Sequence, residues 1–459
     1  MDPLDAISPI DGRYYEDTRE LSPFFSEKAL MSYRILVEGE YLIALSEHPR
    51  IDVREFSPEE KYRIRDMHNI LKEDALEIKK IEKKTNHDVK AVEYFMKQRL
   101  EQSSLSDCKE WVHFALTSED VNNAAYALMV SNGLEYVMLP NMEDVQERIY
   151  NFAHEYSNVP MLARTHGQPA SPTTFGKEFK VFASRLETQI EKITSSELLV
   201  KLNGATGNYN AHHVAYPNIN WENFTVDFVG KLNSLGEDDR IIKLKPSLIT
   251  TQIESSDSYV DLFNKIMLFN RILTDFNQDM WRYISDGWIK QKVVATETGS
   301  STMPHKVNPI NFENGEGNEE FSNAMYEFFA RKLPISRLQR DLTNSTVKRN
   351  FGVAMAHSLI AYKAVMNGLG KISVDEEKVI DELKKHPEVI AEAIQTILRR
   401  EGLDESYEKV KEFTRGKKVT MDDFAKFIDG LDIDEKIKDE LKRITPTNYT
   451  GLAKILAEK

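Results

Sequence analysis

The sequence predicts a mainly α-helical protein built around a central bundle of long helices. Two stretches without proline, each of about thirty residues, repeat apolar side chains at steps of three and four, which places one apolar stripe along a helix. The positions are Phe175, Phe179, Phe182, Leu186, Ile190 and Ile193, then Leu262, Ile266, Phe269, Leu273, Phe276, Met280 and Ile284. Strand patterns are sparse, and no Asn-Gly or Asp-Gly hairpin lies between apolar flanks. Helices far longer than the usual dozen or so residues favour near-parallel packing in a bundle.

Domain boundaries follow from length and composition. The chain has 459 residues, more than one hydrophobic core usually supports. We expect an N-terminal helical domain over residues 1–110, the long-helix bundle over 111–366 and a C-terminal helical domain over 367–459, with Gly368 and Gly370 at the last joint. Residues 202–250 are rich in Gly and Pro, so we expect a long irregular excursion between two bundle helices, of a kind that is often functional.

Composition excludes several classes of protein. A hydrophobic fraction of 41% is too high for a disordered chain, and the single Cys108 excludes a disulfide within the chain and fits a reducing compartment. The N-terminus has no signal-peptide pattern, and charges interrupt every apolar stretch, so we expect a cytoplasmic protein without a membrane span. A net charge of −14 argues against nucleic acid as a partner. An anionic ligand would need a local cluster of cations.

The most informative segment runs from Ser300 to Pro309, directly after Gly299. It places three hydroxyls, a His, a Lys and an Asn between two helical patterns, and its Gly and Pro residues predict a loop. Hydroxyls, an ammonium, an amide and free backbone N–H groups suit the oxygens of a carboxylate. The alternative is a solvated turn, which explains the polarity but not the density of donors.

Two further segments combine hydrogen-bonding side chains with a helix start. In residues 85–94, His87 lies between two residues that could cap the following helix, Asn86 and Asp88; the alternative is a capped helix with an incidental His. In residues 117–120, Thr117 and Ser118 begin a helix whose free N–H groups would hold an anion, and the alternative is a plain cap. The preceding His113 is assigned either near the ligand or to the core.

A third segment, residues 164–172, places His166 between turn-forming residues, so its imidazole is expected on a loop. Most loop histidines are solvent-exposed, but His is the side chain best suited to exchange a proton near neutral pH. Cations lie in residues 11–14 and 340–349, where Arg forks and hydroxyls could bind phosphate or form surface ion pairs. Walker loops, dinucleotide fingerprints and zinc-spaced His pairs are missing from the sequence, so we expect chemistry from side chains, with no cofactor or metal.

Taken in order, these segments resemble the fumarase/aspartase superfamily, whose members eliminate fumarate from succinyl-type substrates, and within it the adenylosuccinate lyase family most closely. The resemblance runs from about Ser8 to Arg415. It implies a three-domain fold with a central bundle, and a homotetramer whose active sites are shared between chains. It also implies two reactions: adenylosuccinate gives AMP and fumarate, and succinylaminoimidazole-carboxamide ribotide gives the carboxamide ribotide and fumarate.

The resemblance also implies residue roles. His166 would be the catalytic acid and Ser300 the base, with His305 as a rival base that the sequence cannot reject. The implied substrate-binding residues are Arg13, Tyr14, Asn86, His87, Asp88, Thr117, Ser118, Gln252, Ser301, Lys306, Val307, Asn308, Asn314, Arg340, Ser345, Thr346, Val347, Lys348 and Arg349. Lys348 stands where relatives would carry an apolar residue. Residues 254–258 depart from the family's Pro-His-Asp, so no role for a His is carried over there.

Two alternatives remain. One is another lyase of the superfamily, of the argininosuccinate lyase or aspartase type, whose substrates carry no phosphate; the 86–88 segment and the 340–349 cations argue against it. The other is a non-catalytic, crystallin-like relative, and the intact set of Ser300, Lys306 and His166 argues against that.

Overall fold

The protein is mainly helical, as the sequence predicts. A computed structural model describes residues 2–235, 240–293, 301–303 and 305–459, and 64% of the chain is helical. The first helices are α1 (Tyr15–Thr18), α2 (Ser22–Phe25), α3 (Glu27–Glu47), α4 (Pro58–Asp66), α5 (Lys72–Thr85), α6 (Asp88–Glu101), α7 (Ser118–Gly133), α8 (Leu139–Glu155), α9 (Phe175–Thr194), α10 (Asn210–Ala215) and α11 (Trp221–Asn233). The later ones are α12 (Asp257–Asp286), α13 (Ile310–Lys332), α14 (Thr343–Lys348), α15 (Phe351–Leu369), α16 (Glu376–Lys384), α17 (Ala391–Arg400), α18 (Ser406–Thr414), α19 (Met421–Asp429), α20 (Glu435–Lys442) and α21 (Ala453–Ala457).

Short strands form two-stranded pairs. The strands are β1 (Pro160–Met161), β2 (Arg164–Thr165), β3 (Gln168–Pro169), β4 (Thr173–Thr174), β5 (Glu197–Val200), β6 (Lys243–Pro246), β7 (Ile289–Gln291) and β8 (Ile372–Val374). β1 pairs with β4 and β2 with β3, both antiparallel, so a small hairpin is nested inside a larger one. β7 and β8 are antiparallel, and β5 and β6 are parallel. Within the described residues, no helix is both long and apolar enough to cross a bilayer.

The two apolar stripes form the predicted long helices. α9 spans 20 residues and α12 spans 30. On α9, Phe179 and Phe182 lie 6.0 and 5.4 Å from the ring of Phe276 on α12, measured between ring centroids. All three rings are buried. Aromatic pairs in such tilted and edge-on arrangements add to the free energy of burial, so the stripes hold the bundle together.

The chain forms two compact units, each assembled from three segments. The first comprises residues 1–142, 189–271 and 317–363, and the second 143–188, 272–316 and 364–459. In the first, Phe263 packs edge-on against Phe351 at 4.9 Å and stacks on Tyr326 at 5.2 Å. In the second, the C-terminal helices share a core that includes Leu398 and Phe424. The division at residues 110 and 366 stays a prediction.

The segment 202–250 is not the irregular excursion expected. It contains α10 and α11, and β6 returns to pair with β5 from Glu197↔Lys243 to Val200↔Pro246. A parallel pair joins strands that are far apart in sequence, so no local alternation of apolar and polar residues predicts it. The glycines lie where the chain turns. At Gly207 the φ angle is +79°, and a Cβ there would lie 2.1 Å from the carbonyl oxygen of Thr250, so the two ends of the segment meet.

Candidate active site

The buried carboxylate of Asp120 holds the start of α7 in place. The backbone N–H of Thr117, the residue before α7, donates to Asp120 Oδ2 at 2.8 Å. The other carboxylate oxygen accepts from Lys201 Nζ at 2.7 Å and from the backbone N–H groups of Asn203 and Gly204 at 3.1 and 3.2 Å. Asp120 and Lys201 are both fully buried. Thr117 and Ser118 are therefore presented rigidly at a helix N-terminus, where the helix dipole favours an anion.

His87 reaches this helix start. Asn86 ends α5 in the left-handed conformation, with φ of +52°, and His87 caps α6 by accepting the Lys90 N–H on Nδ1 at 3.1 Å. The prediction that Asn86 or Asp88 caps α6 is therefore wrong, because Asn86 already closes α5 and leaves His87 as the extended residue. A neutral imidazole that accepts on Nδ1 carries its proton on Nε2. That atom lies 3.4 Å from Ser118 Oγ, so His87 presents a donor beside Ser118.

Asp88 holds two arginines. Its Oδ2 accepts from Arg34 Nη2 at 2.7 Å and from Arg349 Nη2 at 3.0 Å. Burial raises the pKa of Asp88, but the paired guanidinium groups outweigh that effect and lower it to about 2. Arg349 also donates to Glu27 at 3.0 Å. Asp88 is thus ionised at neutral pH and binds one edge of the Arg349 guanidinium.

Arg340 contacts the first turn of α7 through Glu119. It donates to Gln252 Oε1 at 2.9 Å and to Ser345 Oγ at 3.5 Å, and it pairs with the buried Glu119 at 3.1 Å. Gln252 is itself held by the carbonyl of Ala205 at 2.9 Å. Three of the predicted binding residues, Arg340, Gln252 and Ser345, are therefore joined to one another and linked through Glu119 to the first turn of α7.

The other predicted residues of the first unit lie in two segments, residues 13–14 and 346–348. The Arg13 guanidinium lies 5.8 Å from the Tyr14 ring centroid. Thr346 is exposed and Val347 is buried. Lys348 is 3% exposed, and its ammonium lies 5.3 Å from the Tyr259 ring centroid. The Tyr259 ring and the charge of the buried Glu254 both stabilise the ammonium of this buried Lys, and a substrate contact by it stays a prediction.

His113 faces the interior. Its ring and its backbone N–H both bond to the buried Glu38. Burial lowers the pKa of His113, but the Glu38 carboxylate outweighs that and raises it. His113 is therefore partly buried against Glu38, and its assignment near the ligand or to the core stays open.

In the second unit, His166 occupies the tip of the inner hairpin. β2 and β3 are joined by His166 and Gly167 alone, with φ angles of +52° and +74°. Two left-handed residues in succession define a type I′ turn, the tight turn that suits hairpin twist. Nearby, Arg164 pairs with Glu382 at 3.1 Å and Ser171 donates to Glu392. The hairpin is thus anchored to the C-terminal helices, and the His166 side chain is exposed.

The polar segment 300–309 ends at the start of α13. Ser300, Gly299 and Pro304 lie outside the described residues. Ser301, His305, Lys306 and Val307 are exposed, while Asn308 is half-buried, as is Asn314 on the first turns of α13. The Lys306 N–H donates to the Met303 carbonyl at 3.1 Å, and Gln291 Nε2 donates to the Val307 carbonyl at 3.1 Å. The described part is therefore the predicted loop, and the side chains of Ser301, His305 and Lys306 are exposed on it.

Sequence reasoning missed three residues that hold Asp88 and Arg340, namely Arg34, Glu119 and Asn122. Arg34 Nε donates to Asn122 Oδ1 at 2.9 Å, and Asn122 Nδ2 donates to Glu119 at 3.2 Å. One signal was available. α3 carries Arg34 within a largely apolar sequence that also contains Glu38 and Glu40, and a charged residue must find a partner when it is buried. Across the described residues, no group of three or more His, Cys, Asp or Glu side chains is arranged to hold a metal ion.

Comparison with known proteins identifies the family. The family described as Lyase matches residues 12–320, and the one described as Adenylosuccinate lyase C-terminal matches residues 336–450. The adenylosuccinate lyase of Vibrio cholerae is 47% identical over 459 residues, covering 99% of both chains. That of Escherichia coli K12 is 47% identical over 98% of this chain and 97% of its own. That of Dictyostelium discoideum is 48% identical, again over 98% and 97%.

Solved structures agree on the fold. A fumarate lyase from Mesorhizobium matches with a TM-score of 0.73 at 16% identity, covering 96% of each chain. A 3-carboxy-cis,cis-muconate lactonizing enzyme from Pseudomonas putida matches with the same TM-score at 15% identity, over 96% of this chain and 95% of its own. The predicted fold and lyase class are confirmed, and neither alternative is favoured. The chain belongs to the adenylosuccinate lyase family of the fumarase/aspartase superfamily, a family of carbon–nitrogen lyases.

Proposed function

We propose that this chain eliminates fumarate from adenylosuccinate to give AMP, and from succinylaminoimidazole-carboxamide ribotide to give the carboxamide ribotide. The observation that carries the proposal is the convergence of His87, Ser118, Gln252 and Arg340 at the start of α7, in a chain 47% identical to adenylosuccinate lyases along its whole length. These residues come from four separate parts of the sequence. A cap or a surface ion pair would not require them to meet.

The succinyl carboxylates need hydrogen-bond donors that bind them more strongly in the transition state than in the bound substrate. A base removes the proton on the carbon beside one carboxylate, and the electron pair left behind spreads into that carboxylate. The C–N bond then breaks, and an acid protonates the departing nitrogen. Donors already aimed at the growing negative charge supply most of the rate enhancement. We assign this work to Thr117 and Ser118, with Lys306 and Asn308 of the 300–309 loop; Ser301, Val307 and Asn314 complete the contacts there.

The acid and the base are His166 and Ser300. A hydroxyl is a very weak base, so Ser300 needs the Lys306 ammonium and loop N–H groups to lower its pKa while closure of the site excludes water. His166 suits the acid role because it stands at the tip of an anchored hairpin with an open side chain. His305 remains the rival base.

The substrate's phosphate is assigned to Arg13, Tyr14, Arg340, Ser345 and Arg349, with Thr346, Val347 and Lys348 in the same segment. Arg340 and Arg349 support this assignment, since acceptors hold the fork of each: Gln252 and Ser345 for Arg340, and Glu27 and Asp88 for Arg349. Asn86, His87 and Asp88 would line the purine nucleotide. The protein is proposed to be a cytoplasmic homotetramer with active sites shared between chains, and neither nucleic acid nor a membrane is expected as a partner.

Fumarate release by the purified protein tests this function. We expect turnover of adenylosuccinate, followed by ultraviolet absorbance, at the same rate with and without a metal chelator. Succinyladenosine, which lacks only the phosphate, should react with kcat/KM lower by at least a hundredfold, about 2.7 kcal/mol. Full loss of activity on chelation would contradict the proposal, as would fumarate release from argininosuccinate in place of adenylosuccinate.

A further inference from the structure

Arg34 is a buried cation that belongs to none of the predicted motifs. It lies on α3, and its side chain is 3% exposed. Its Nη2 donates to Asp88 Oδ2 at 2.7 Å, and its Nε donates to Asn122 Oδ1 at 2.9 Å. The two acceptors are on α6 and α7. One guanidinium therefore ties three helices together through two donors at a fixed angle, which a lysine ammonium cannot reproduce.

Both acceptors lead to an arginine of the proposed phosphate site. Asp88 Oδ2 also accepts from Arg349 at 3.0 Å. On the other side, Asn122 Nδ2 donates to Glu119 Oε1 at 3.2 Å, and Glu119 pairs with Arg340 at 3.1 Å. We call the four linking residues, Asp88, Arg34, Asn122 and Glu119, the Arg34 bridge. It is a continuous path from Arg349 to Arg340 made of four hydrogen bonds and one ion pair, the pair between Glu119 and Arg340, and no link is longer than 3.2 Å.

The charges along this path alternate. Arg349, Arg34 and Arg340 are cationic, and Asp88 and Glu119 are the anions between them. The guanidinium groups of Arg349 and Arg340 are each paired with a carboxylate that other residues hold in place. The orientation of both groups is therefore restricted. An arginine side chain loses up to about 2 kcal/mol of conformational entropy when it is immobilised. A bridge that immobilises two of them before the ligand arrives removes that cost from binding.

We infer that Arg34 is a positioning residue for phosphate recognition, which sets the spacing and orientation of Arg340 and Arg349 through the Arg34 bridge without touching the ligand. The inference rests on the proposed function and deepens it, since it names what fixes the phosphate site. A purely structural Arg34 would stabilise the fold alone. The positioning role and the purely structural role make different predictions. Only under the positioning role does the contribution of the phosphate to the binding free energy depend on residue 34.

The test compares AMP with adenosine, which differ by the phosphate. Dissociation constants for both are measured by titration calorimetry on the full-length protein, together with the thermal midpoint. For Arg34→Lys, which keeps the charge but loses the fork, we expect AMP to bind at least tenfold more weakly and adenosine to change by less than twofold. Asn122→Leu removes only the link towards Glu119, so we expect the same selective loss with Asp88 and Arg349 left paired.

Arg54→Lys is the matched control. Arg54 also grips two carboxylates with its fork, Glu60 and Asp107, at 2.7 and 2.8 Å, and neither belongs to the Arg34 bridge. We expect its ratio of AMP to adenosine affinity to equal that of the parent. The inference is overturned if folded Arg34→Lys and Asn122→Leu proteins keep the parent ratio, or if they lose affinity for both ligands equally. Should the parent itself bind AMP no more tightly than adenosine, the proposed phosphate site fails first.

Discussion

Ser300 and His305 are the two side chains of the 300–309 loop that could remove the substrate's carbon-bound proton. If Ser300 is the base, Ser300→Ala should abolish turnover and leave substrate affinity within roughly tenfold, about 1.4 kcal/mol, because one contact among many is lost. His305→Ala should keep substantial turnover. The decisive measurement is exchange of the succinyl proton with solvent deuterium in each variant. If Ser300→Ala exchanges at the parent rate and His305→Ala does not, the base is His305.

Asp88 gives the molecule a pH-dependent contribution to stability. Its pKa is about 2 in the folded protein, below the ordinary value of an aspartate. The stabilisation from its pairs with Arg34 and Arg349 is therefore complete above about pH 4 and is lost as the pH falls towards 2. Asp88→Asn should lower the free energy of unfolding by roughly 1–3 kcal/mol at pH 7. In urea titrations the difference should be constant from pH 8 to pH 5 and shrink below pH 4.

Asp107→Asn provides the control for Asp88. Asp107 also accepts from an arginine, Arg54, at 2.8 Å, but its side chain is 54% exposed. An exposed pair contributes at most about 1 kcal/mol, so this variant should unfold close to the parent. An equal loss in both variants, or a loss in Asp88→Asn that persists unchanged at low pH, would show that the buried pair is not its source.

Single residues were predictable where chemistry is local and missed where it is not. His87 and Ser118 could be singled out because each lies at a helix start, and the structure brings them within 3.4 Å. Arg34 could not, since a charge on a helix that also carries Glu38 and Glu40 does not indicate which partner it will meet. Its partners lie 54 and 88 residues away, on helices that approach it only after folding.

Among the elements, the hairpin that carries His166 offers the sharpest test. Gly167 has φ of +74°, and a Cβ there would meet nothing within 4 Å, so Gly167→Ala adds backbone strain without a clash. That strain is about 1–2 kcal/mol. It should distort the turn and move the His166 imidazole, because the hairpin has only these two residues at its tip. We expect kcat to fall at least tenfold with KM within twofold, measured by steady-state kinetics of adenylosuccinate cleavage.

Gly416→Ala is the matched control for the hairpin. Gly416 has φ of +71°, and a Cβ there also has open space around it, but it lies in the turn after α18. The same strain there should lower the thermal midpoint by a similar amount and leave kcat unchanged. If both variants lose the same fraction of activity, general destabilisation explains the loss and the hairpin has no special part in it.

Elements were predictable in proportion to how local their signal is. The stripes of α9 and α12 repeat over many turns, so the sequence alone indicates long helices with one buried face. The β5–β6 pair has four residues in each strand and joins Glu197 to Lys243, so its partner cannot be read from either strand. The His166 hairpin was missed for another reason. Its type I′ turn uses His-Gly, and only Gly167 is a residue that such turns prefer.

At the scale of the whole molecule, the net charge of −14 and an anionic substrate are compatible because the cations are local. Arg34, Arg340 and Arg349 are each paired with a carboxylate, so the cluster adds little to the field outside the protein. Attraction over a distance is therefore weak, and recognition depends on contacts made after arrival. This favours a site assembled with fixed geometry over one that relies on electrostatic steering.

Sharing of active sites between chains can be tested by mixing inactive proteins. His166→Ala and Ser300→Ala should each be inactive, because each lacks one of the two proton-transfer groups. If the two residues of a site come from different chains, random exchange of subunits in an equal mixture gives roughly a quarter of the sites both native groups. Fumarate release should recover to about that fraction. A mixture of His166→Ala with the double variant His166→Ala/Ser300→Ala contains no native His166 and should stay inactive. Once exchange is verified by mass-tagged chains, a mixture of the single variants that remains inactive would mean that both groups come from one chain.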